Sequence, residues 1–187
     1  MIIGLTGPMA SGKGEVVEIF KKLGFSHITL SSMVREEAKR RNIPEERERL
    51  MEVGNSMRAS EGPGVLAKRA LEKTQSTMPD RNWVIDGIRN PAEIEALRQA
   101  PDVYVIGISA PRELLIERLL SRGRAGDAMS LEDITIKLDR EWGKNEPPEG
   151  QQVGLCMKKV DIVIPNEGTL EALEKSVLSY YHSLLKS

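Results

Sequence analysis

Cysteine, histidine and aromatic residues are scarce in this sequence. Its 187 residues include one cysteine, Cys156, and two histidines, His27 and His182, and aromatic residues make up 4% of the chain. A single cysteine cannot form a disulfide within the chain, and none of the three residues has metal-ligand or nucleophile neighbours in sequence. We therefore expect no disulfide framework and assign all three residues to structural or surface positions.

Two further features are missing: an excess of charge of one sign and a long apolar run. Lys and Arg total 27 against 28 Asp and Glu, so no overall basic field exists to hold nucleic acid or an anionic membrane, and any anion site must be local. No apolar run approaches the roughly 20 residues that a bilayer-spanning helix needs. Because a strand is predicted from residue 2, we expect no leading signal segment and a cytoplasmic protein.

The composition that is present, 40% hydrophobic and 29% charged, indicates one globular domain over residues 1–187. Short apolar runs of β type alternate with segments of helical period, and strands are predicted at residues 2–6, 27–30, 82–86, 103–108 and 160–164. Such alternation is typical of parallel βαβ units, and nearly continuous apolar strands indicate a sheet covered on both faces. We predict a three-layer α/β sandwich with a five-stranded parallel sheet and a site beyond the carboxyl ends of its strands.

Capping residues and breaks position the predicted helices. The helix starts are marked by Ser31 or Ser32, by Asn90 with Pro91 and Glu93, and by Ser130 with Asp133. Between about residues 31 and 75 the sequence is charged and helical, with breaks at Pro44 and at the segment EGPG. We interpret this stretch as an insert of helices with a solvated surface.

The segment GPMASGKG follows the first predicted strand and precedes the first predicted helix. Its glycines allow successive backbone N–H groups to face one centre, the helix adds its positive end, and Lys13 adds a full charge for the outer phosphates. A glycine turn that only joins strand to helix is the alternative. We favour a polyphosphate site, because motif, strand and helix occur together. The residues assigned to the nucleotide are Gly7, Ala10, Ser11, Gly12, Lys13, Gly14 and Glu15.

Asp86 and Arg89 follow the apolar part of the third predicted strand. A carboxylate at a strand end is suited to hold a water bound to Mg²⁺ in a phosphoryl-transfer site, and a turn with Gly87 is the alternative for Asp86. Arg89 offers a planar fork of donors for a phosphate, and a surface ion pair is its alternative.

Three arginines lie close together after the fourth predicted strand. Arg118 and Arg122 are four residues apart, hence on one face of a helix, and Arg124 follows beside two glycines. A solvated helix face explains isolated arginines, but three within seven residues favour a loop that closes over phosphates. Arg140, on the next predicted helix, is a weaker candidate.

In order along the chain, these motifs resemble the P-loop kinases of small phosphorylated metabolites, especially the adenylate kinase and nucleoside monophosphate kinase family. The segment SGKG is similar to that family's loop, which also places a glycine directly after the lysine. For SSMVREEAK the resemblance implies that Arg35, with Ser32 beside it, grips the acceptor's monophosphate. For VIDGIR it implies that Asp86 lies near magnesium and that Arg89 binds the acceptor phosphate. The family's proline between the glycine and this arginine is absent here.

The segment ERLLSRGR resembles that family's helix entering the lid, which implies Arg118 near the base and Arg122 at the transferred phosphate. The segment VDIVIPNEGTLEAL is similar to the last strand and loop of dephospho-coenzyme A kinases, which implies that Asn166 and Gly168 lie near the adenine. RERLMEVGNSMR looks somewhat like deoxynucleoside monophosphate kinases of phage type. The chain also resembles archaeal proteins grouped near adenylate and dephospho-coenzyme A kinases.

Two positions depart from the adenylate kinase pattern. Glu15 stands where that family has a threonine, which removes a hydroxyl and adds negative charge beside the triphosphate. Ser31 and Ser32 precede Met33 where an acidic residue is usual, so recognition of the monophosphate differs in detail. Repulsion by Glu15 should weaken nucleotide binding unless magnesium or an arginine offsets it.

The leading hypothesis is an ATP- and Mg²⁺-dependent kinase that transfers the γ-phosphoryl group to a small nucleotide, above all a ribo- or deoxynucleoside monophosphate. The alternatives are phosphorylation of a hydroxyl, as in dephospho-coenzyme A, an ATPase switch that acts on a protein or ribonucleoprotein partner, and a nucleotide sensor without turnover. The insert at about 31–75 would hold the acceptor, and a lid at about 122–150 would close over it. Neither a membrane nor nucleic acid is an expected partner.

Overall fold

The computed structural model describes residues 1–121 and 130–186, without the side chains of residues 47 and 48. All five strands of its sheet are parallel, in the order β2-β3-β1-β4-β5. The strands are β1 (Ile2–Thr6), β2 (Ser26–Thr29), β3 (Trp83–Ile88), β4 (Val103–Ser109) and β5 (Ile162–Pro165). The predicted α/β fold with a five-stranded parallel sheet is therefore confirmed.

Helices connect these strands. They are α1 (Lys13–Lys22), α2 (Leu30–Arg40), α3 (Arg47–Glu61), α4 (Val65–Thr77), α5 (Pro91–Leu97), α6 (Arg112–Ser121), α7 (Leu131–Trp142), α8 (Val153–Cys156) and α9 (Leu170–Leu184). The sequence did not predict α8. Within the described ranges, no helix is long and apolar enough to cross a membrane.

Apolar side chains cover the sheet on both faces, as the predicted sandwich requires. On one face Leu5, Val84 and Ile106 pack with Phe20 of α1 and Val177 of α9. On the other face the strands pack against α2, α4 and α5, through residues such as Ile85, Val105, Leu66, Ala70 and Ile94. Successive side chains of a strand point to opposite faces, so nearly continuous apolar strands fill both cores.

The end of β3 differs from its prediction. Asp86 lies opposite Leu5 of β1, but the pairing then shifts, so that Thr6 lies opposite Ile88 and Gly87 has no partner in the register. Gly87 has φ +86°, a backbone conformation that glycine adopts easily. The strand therefore continues through this irregularity to Ile88, and the prediction that it ends at Asp86 was wrong by two residues.

The capping residues in the sequence predicted the start of two helices correctly and the start of one helix incorrectly. The capping boxes of Asn90 with Glu93 and of Ser130 with Asp133 are both present. The cap of α2 is Thr29, whose Oγ1 accepts the Ser32 N–H at 3.1 Å, so the assignment of this cap to Ser31 or Ser32 was wrong. The helix begins at Leu30, directly after β2, and its cap lies two to three residues before the predicted cap.

A buried carboxylate joins the helices of the predicted insert. Glu37 of α2, with its side chain 1% exposed, accepts hydrogen bonds from Arg40, Arg41 and Arg69 of α4 at 2.6 to 3.0 Å. Hydrogen bonding from Arg40, with support from Arg41 and Arg69, holds the pKa of Glu37 well below its usual range. This cluster joins α4 to α2 through a partly buried ion pair.

Candidate functional site

The glycine loop connects β1 to α1 in a conformation that side chains rarely adopt. Gly7 and Gly12 have φ +139° and +105°, and Ala10, a residue with a side chain, has φ +62°. A Cβ on Gly12 would lie 2.1 Å from Nδ2 of Asn166, so only glycine fits where this asparagine packs. Gly14 is exposed, with open space above its Cα. The backbone here is held in a compact turn at the positive end of α1.

Polar groups of the loop are arranged for an anion. Lys13 Nζ folds back and donates to the carbonyls of Gly7 and Pro8, at 2.7 and 2.8 Å. Within the described part of the chain, the buried Ser11 Oγ has no hydrogen-bond partner. The first N–H groups of a helix have no partner inside the helix, so the start of α1 adds donors at the same place. These features fit the phosphates of a nucleotide.

The loop cleft, as we call it, has a volume of about 180 Å³ and lies beside the loop. It is lined by Ala10, Gly12, Glu15, Arg118, Asn166, Gly168, Leu170 and Leu173. Arg118 donates to the carbonyls of Ala10 and Asn166 at 3.2 and 3.0 Å, and Asn166 Nδ2 donates to the Ser11 carbonyl at 2.8 Å. The structure thus brings the predicted loop, Arg118, Asn166 and Gly168 together at one cleft.

Asp86 lies at the carboxyl edge of the sheet, half-buried, with its Oδ1 accepting the Gly87 N–H at 2.6 Å. It is two residues beyond Val84, which is buried against α1, so its side chain is on the face of the sheet that α1 covers. In the described ranges, no group of three or more Asp, Glu, His or Cys residues could hold a metal alone. Mg²⁺ often uses one or two carboxylates together with substrate phosphates, and Asp86 fits that pattern.

A second cavity, the arginine cleft, has a volume of about 610 Å³. Its cationic lining residues are Arg35 of α2, Arg58 of α3, Arg89 after β3 and Arg140 of α7. Arg35 and Arg89 were predicted for the acceptor, and Arg140 was the weaker candidate. Arg58 was missed, because it lies in a charged stretch that reads as surface.

Arg58 is the most buried of these four side chains, at 11% exposed. Its Nη2 lies 3.4 Å from Oε1 of the fully buried Glu93, and in the described residues its buried Nε has no hydrogen-bond partner. Burial raises the pKa of Glu93, and the Arg58 charge opposes that shift. Glu93 also accepts the N–H of Arg89 at 2.8 Å. One buried carboxylate therefore supports two arginines of the cleft.

The other three arginines of the cleft are more exposed. Arg35 contacts Ser31 Oγ at 3.2 Å and Glu45 at 3.7 Å, and Arg140 pairs with Glu146 at 2.7 Å. Ser31, not the predicted Ser32, lines the cleft. The Ser32 hydroxyl instead donates to the Thr29 carbonyl at 2.6 Å, in the first turn of α2.

A glutamate that the sequence analysis missed links the loop to the arginine cleft. Glu141, in the last turn of α7, is 2% exposed. Its Oε2 accepts the Met9 N–H at 2.6 Å, and its Oε1 lies 3.8 Å from Arg89 Nη1. No local motif marks this residue, because its two contacts are distant in sequence.

Two predicted site residues, Arg122 and Arg124, lie outside the described residues, as does the first part of the predicted lid. The later part of the predicted lid consists of α7 and the polar turns that follow it.

Comparison with known proteins gives one family model and several solved structures. The model, described as an AAA domain, matches residues 6–135. A shikimate kinase from Aquifex aeolicus has a TM-score of 0.55 at 19% identity, over 98% of this chain and 97% of that one. A dephospho-CoA kinase from Campylobacter jejuni has a TM-score of 0.55 at 18% identity, over 98% and 96%. At these identities the similarity shows the fold, which is that of P-loop kinases.

Curated archaeal relatives are similar over nearly their whole length. A UPF0200 protein of Sulfurisphaera tokodaii is 34% identical, over 91% of this chain and 89% of the relative. A UPF0200 protein of Pyrococcus abyssi is 33% identical, over 95% and 93%. With a match to the AAA domain model, a P-loop kinase fold and this level of identity, the chain belongs to the UPF0200 family.

Proposed function

We propose that the protein is an ATP- and Mg²⁺-dependent phosphotransferase whose acceptor is a small nucleotide, above all a ribo- or deoxynucleoside monophosphate. One observation carries the proposal: the Lys13 loop borders a narrow cleft, while a larger cleft with four arginines lies at the same edge of the sheet. Phosphoryl transfer between two nucleotides needs a donor site and a separate site for an anionic acceptor. The fold similarity to shikimate and dephospho-CoA kinases supports the reaction class.

On the donor side, the loop backbone and α1 would bind the phosphates of ATP, and Lys13 would move from the Gly7 and Pro8 carbonyls to the outer phosphates. Asn166 and Gly168 would border the adenine, with Arg118 closing the cleft beside them. Bound magnesium would neutralise charge on the phosphates, with Asp86 as the carboxylate that orients it.

On the acceptor side, the four arginines would hold an anion. Glu45 and Glu146, the carboxylate partners of Arg35 and Arg140, line the cleft, so an incoming phosphate can replace or join these two ion pairs. Arg35 and Arg89 would contact the acceptor's phosphate, which bidentate guanidinium groups suit well. Because a phosphate anion is already a nucleophile, the reaction requires no general base.

The chain's contribution to catalysis would be positioning and electrostatic stabilisation. A loose phosphoryl transition state spreads charge over its oxygens, and fixed cations near the transferred group stabilise it. Arg89 would take this role, because it directly follows β3, the strand that contains Asp86.

Phosphorylation of a hydroxyl, as in dephospho-coenzyme A, is the second candidate function. It is favoured by the half-buried Asp86 carboxylate, which would then act as the general base, and by the loop of Asn166 and Gly168 at the cleft. The two candidates differ in whether a carboxylate must accept a proton from the acceptor.

The test is a transfer assay with ATP and Mg²⁺ over ribo- and deoxynucleoside monophosphates plus dephospho-coenzyme A. We expect one monophosphate to give a diphosphate product, and Lys13→Ala to give none. Lys22→Ala, an exposed lysine of the same helix, is the matched control and should keep wild-type activity. Phosphorylated dephospho-coenzyme A would favour the second candidate. Hydrolysis without transfer to any acceptor would instead favour an ATPase switch, and no turnover with intact ATP binding would favour a sensor.

The division into two sites has its own test. Arg35→Ala and Arg89→Ala should each raise the KM of the acceptor about tenfold or more and leave the KM of ATP nearly unchanged. Equal effects on both substrates would contradict the assignment of these arginines to the acceptor.

A further inference from the structure

Glu141 joins the phosphate loop to the arginine cleft through α7. Ile134 and Leu138 of this helix pack in one cluster with Met9 and Ala10 of the loop. Glu141, three residues beyond Leu138, is on the same helical face, and its Oε2 accepts the Met9 N–H at 2.6 Å. The contact is therefore part of a packed interface between α7 and the loop.

Local helix energetics do not explain a buried glutamate at this position. The C-terminal end of a helix carries partial negative charge, which disfavours a carboxylate in the last turn. Glu141 is also 2% exposed, and burial of a carboxylate costs free energy unless hydrogen bonds or cations compensate. The compensation comes from outside the helix, namely from the Met9 N–H and from Arg89, whose Nη1 lies 3.8 Å from Oε1.

Only one nitrogen of the Arg89 guanidinium, Nη1, makes a hydrogen bond to another side chain in the described part of the chain. Nη1 faces Glu141 and donates to Gln151 Oε1 at 2.8 Å. In residues 1–121 and 130–186, the Nε and Nη2 groups of Arg89 make no hydrogen bond, and its side chain is 43% exposed on the arginine cleft. One edge is thus anchored while the other is available to a phosphate.

We propose that Glu141 is a positioning residue that fixes Arg89 relative to the phosphate loop, so that an acceptor phosphate on Arg89 faces the terminal phosphate of the donor. The inference rests on the proposed phosphotransferase function and adds a residue to it. In-line transfer depends on the relative placement of two phosphates. A single carboxylate that accepts the Met9 N–H and forms an ion pair with Arg89 sets that placement.

The test uses Glu141→Gln, which keeps an oxygen for the Met9 N–H and removes the charge that faces Arg89. We measure kcat, the affinity for a non-hydrolysable ATP analogue, and the affinity for diadenosine pentaphosphate, which spans a donor and an acceptor site. We expect kcat and diadenosine pentaphosphate affinity to fall about 10- to 100-fold, and analogue affinity to change less than about threefold. Glu132→Gln, an exposed glutamate at the start of α7, is the control and should match the wild type.

A second variant separates positioning from general support of the fold. If Glu141 acts through Arg89, Glu141→Gln should cause no further loss of kcat or diadenosine pentaphosphate affinity in an Arg89→Ala background. Fully additive losses would overturn the proposal, and so would a parallel fall in Tm, analogue affinity and kcat.

The outcomes also distinguish this inference from the proposed function. Wild-type transfer with equal activity of Glu141→Gln overturns the positioning role alone. Absence of transfer by the wild type to every acceptor overturns the proposed function. The positioning role is then judged by diadenosine pentaphosphate, and affinity that Glu141→Gln leaves unchanged overturns it as well.

Discussion

The loop cleft and the arginine cleft are formed by different parts of the chain. The loop cleft is organised by backbone: a run of residues from Gly7 to Glu15 turns tightly, and Arg118 and Asn166 bond to its carbonyls. The arginine cleft is organised by side chains that come from α2, α3, the end of β3 and α7. A site made of one continuous segment can be recognised from its sequence, whereas a site made of scattered side chains exists only once the helices have packed.

The two clefts also differ in how their charges are balanced. Arg118 at the loop cleft donates to the carbonyls of Ala10 and Asn166, while each arginine of the other cleft faces a carboxylate, namely Glu45, Glu93, Glu141 or Glu146. A ligand at the arginine cleft must therefore compete with or join existing ion pairs, which links its affinity to the stability of the surrounding helices.

The largest expected effect is a loss of nucleotide affinity at the loop cleft alone. Lys13→Ala removes the charge placed for the outer phosphates, and we expect the affinity for an ATP analogue to fall about 100-fold or more. Calorimetry with the analogue measures this change, with Lys22→Ala as the control. Binding of the acceptor, measured without ATP, should stay within about threefold of the wild type. An equal loss at both clefts would show that they are not separate.

The next largest effect is expected at the arginine cleft, where a substitution of Arg58 should lower both stability and acceptor affinity. Arg58→Met keeps an apolar stem but leaves the fully buried Glu93 without its cation, so we expect the free energy of unfolding to fall by about 3 kcal/mol. Acceptor affinity should fall about tenfold, because one charge-assisted contact is lost. Urea unfolding and acceptor titration measure the two changes.

A double substitution separates the effect of Arg58 on stability from its effect on acceptor binding. Combining Arg58→Met with Glu93→Gln removes the unpaired buried charge, so much of the lost stability should return while acceptor affinity stays low. Recovery of both quantities would assign Arg58 to the fold only.

A smaller effect concerns the scaffold of the arginine cleft. Because the pKa of Glu37 is held below its ordinary value of 4.5, its ion pairs stabilise the fold above about pH 4.5 and lose that contribution as the pH falls below it. We expect Glu37→Gln to be less stable by about 2 kcal/mol at pH 7, and the difference from the wild type to shrink toward pH 3. Urea unfolding at both pH values tests this, and a constant difference would contradict it.

The smallest expected effect is a change in nucleotide affinity at the loop cleft when the charge of Glu15 is removed. Glu15→Thr removes a negative charge beside the loop, and we expect the ATP analogue to bind about threefold more tightly at low salt. The gain should decrease as salt is raised. Glu18→Thr, an exposed position on the same helix, is the control. Weaker binding by Glu15→Thr would mean that the carboxylate itself contacts the nucleotide or its metal.

Much of the fold could be predicted because its signals are local. The strands have continuous apolar runs, and the Asn90 and Ser130 capping boxes need only neighbours in sequence. The errors arose where tertiary pairing decided the outcome. β3 continues past Asp86 because β1 pairs with it across an irregularity, and α2 starts at the end of β2, which moves its cap to Thr29.

Some residues of the candidate site could likewise be predicted from local motifs, whereas others could not. The loop, Asp86, Arg89, Arg118 and Asn166 could be named from motifs, and the described structure places them along one edge of the sheet. Arg58 and Glu141 could not be named, since a lone arginine on a charged helix and a lone glutamate at a helix end have no distinguishing pattern. Their importance comes from contacts with Glu93, Met9 and Arg89 that are far apart in sequence.

The sequence by itself therefore determined the α/β alternation, the parallel sheet and the glycine loop between β1 and α1, because each depends on apolar periodicity or on glycines at short spacing. Tertiary structure alone decided which arginines share a cleft and which carboxylate lies between Arg89 and the loop. Such contacts join residues as far apart as Met9 and Glu141, and only the packing of α7 on the loop brings them within hydrogen-bond distance.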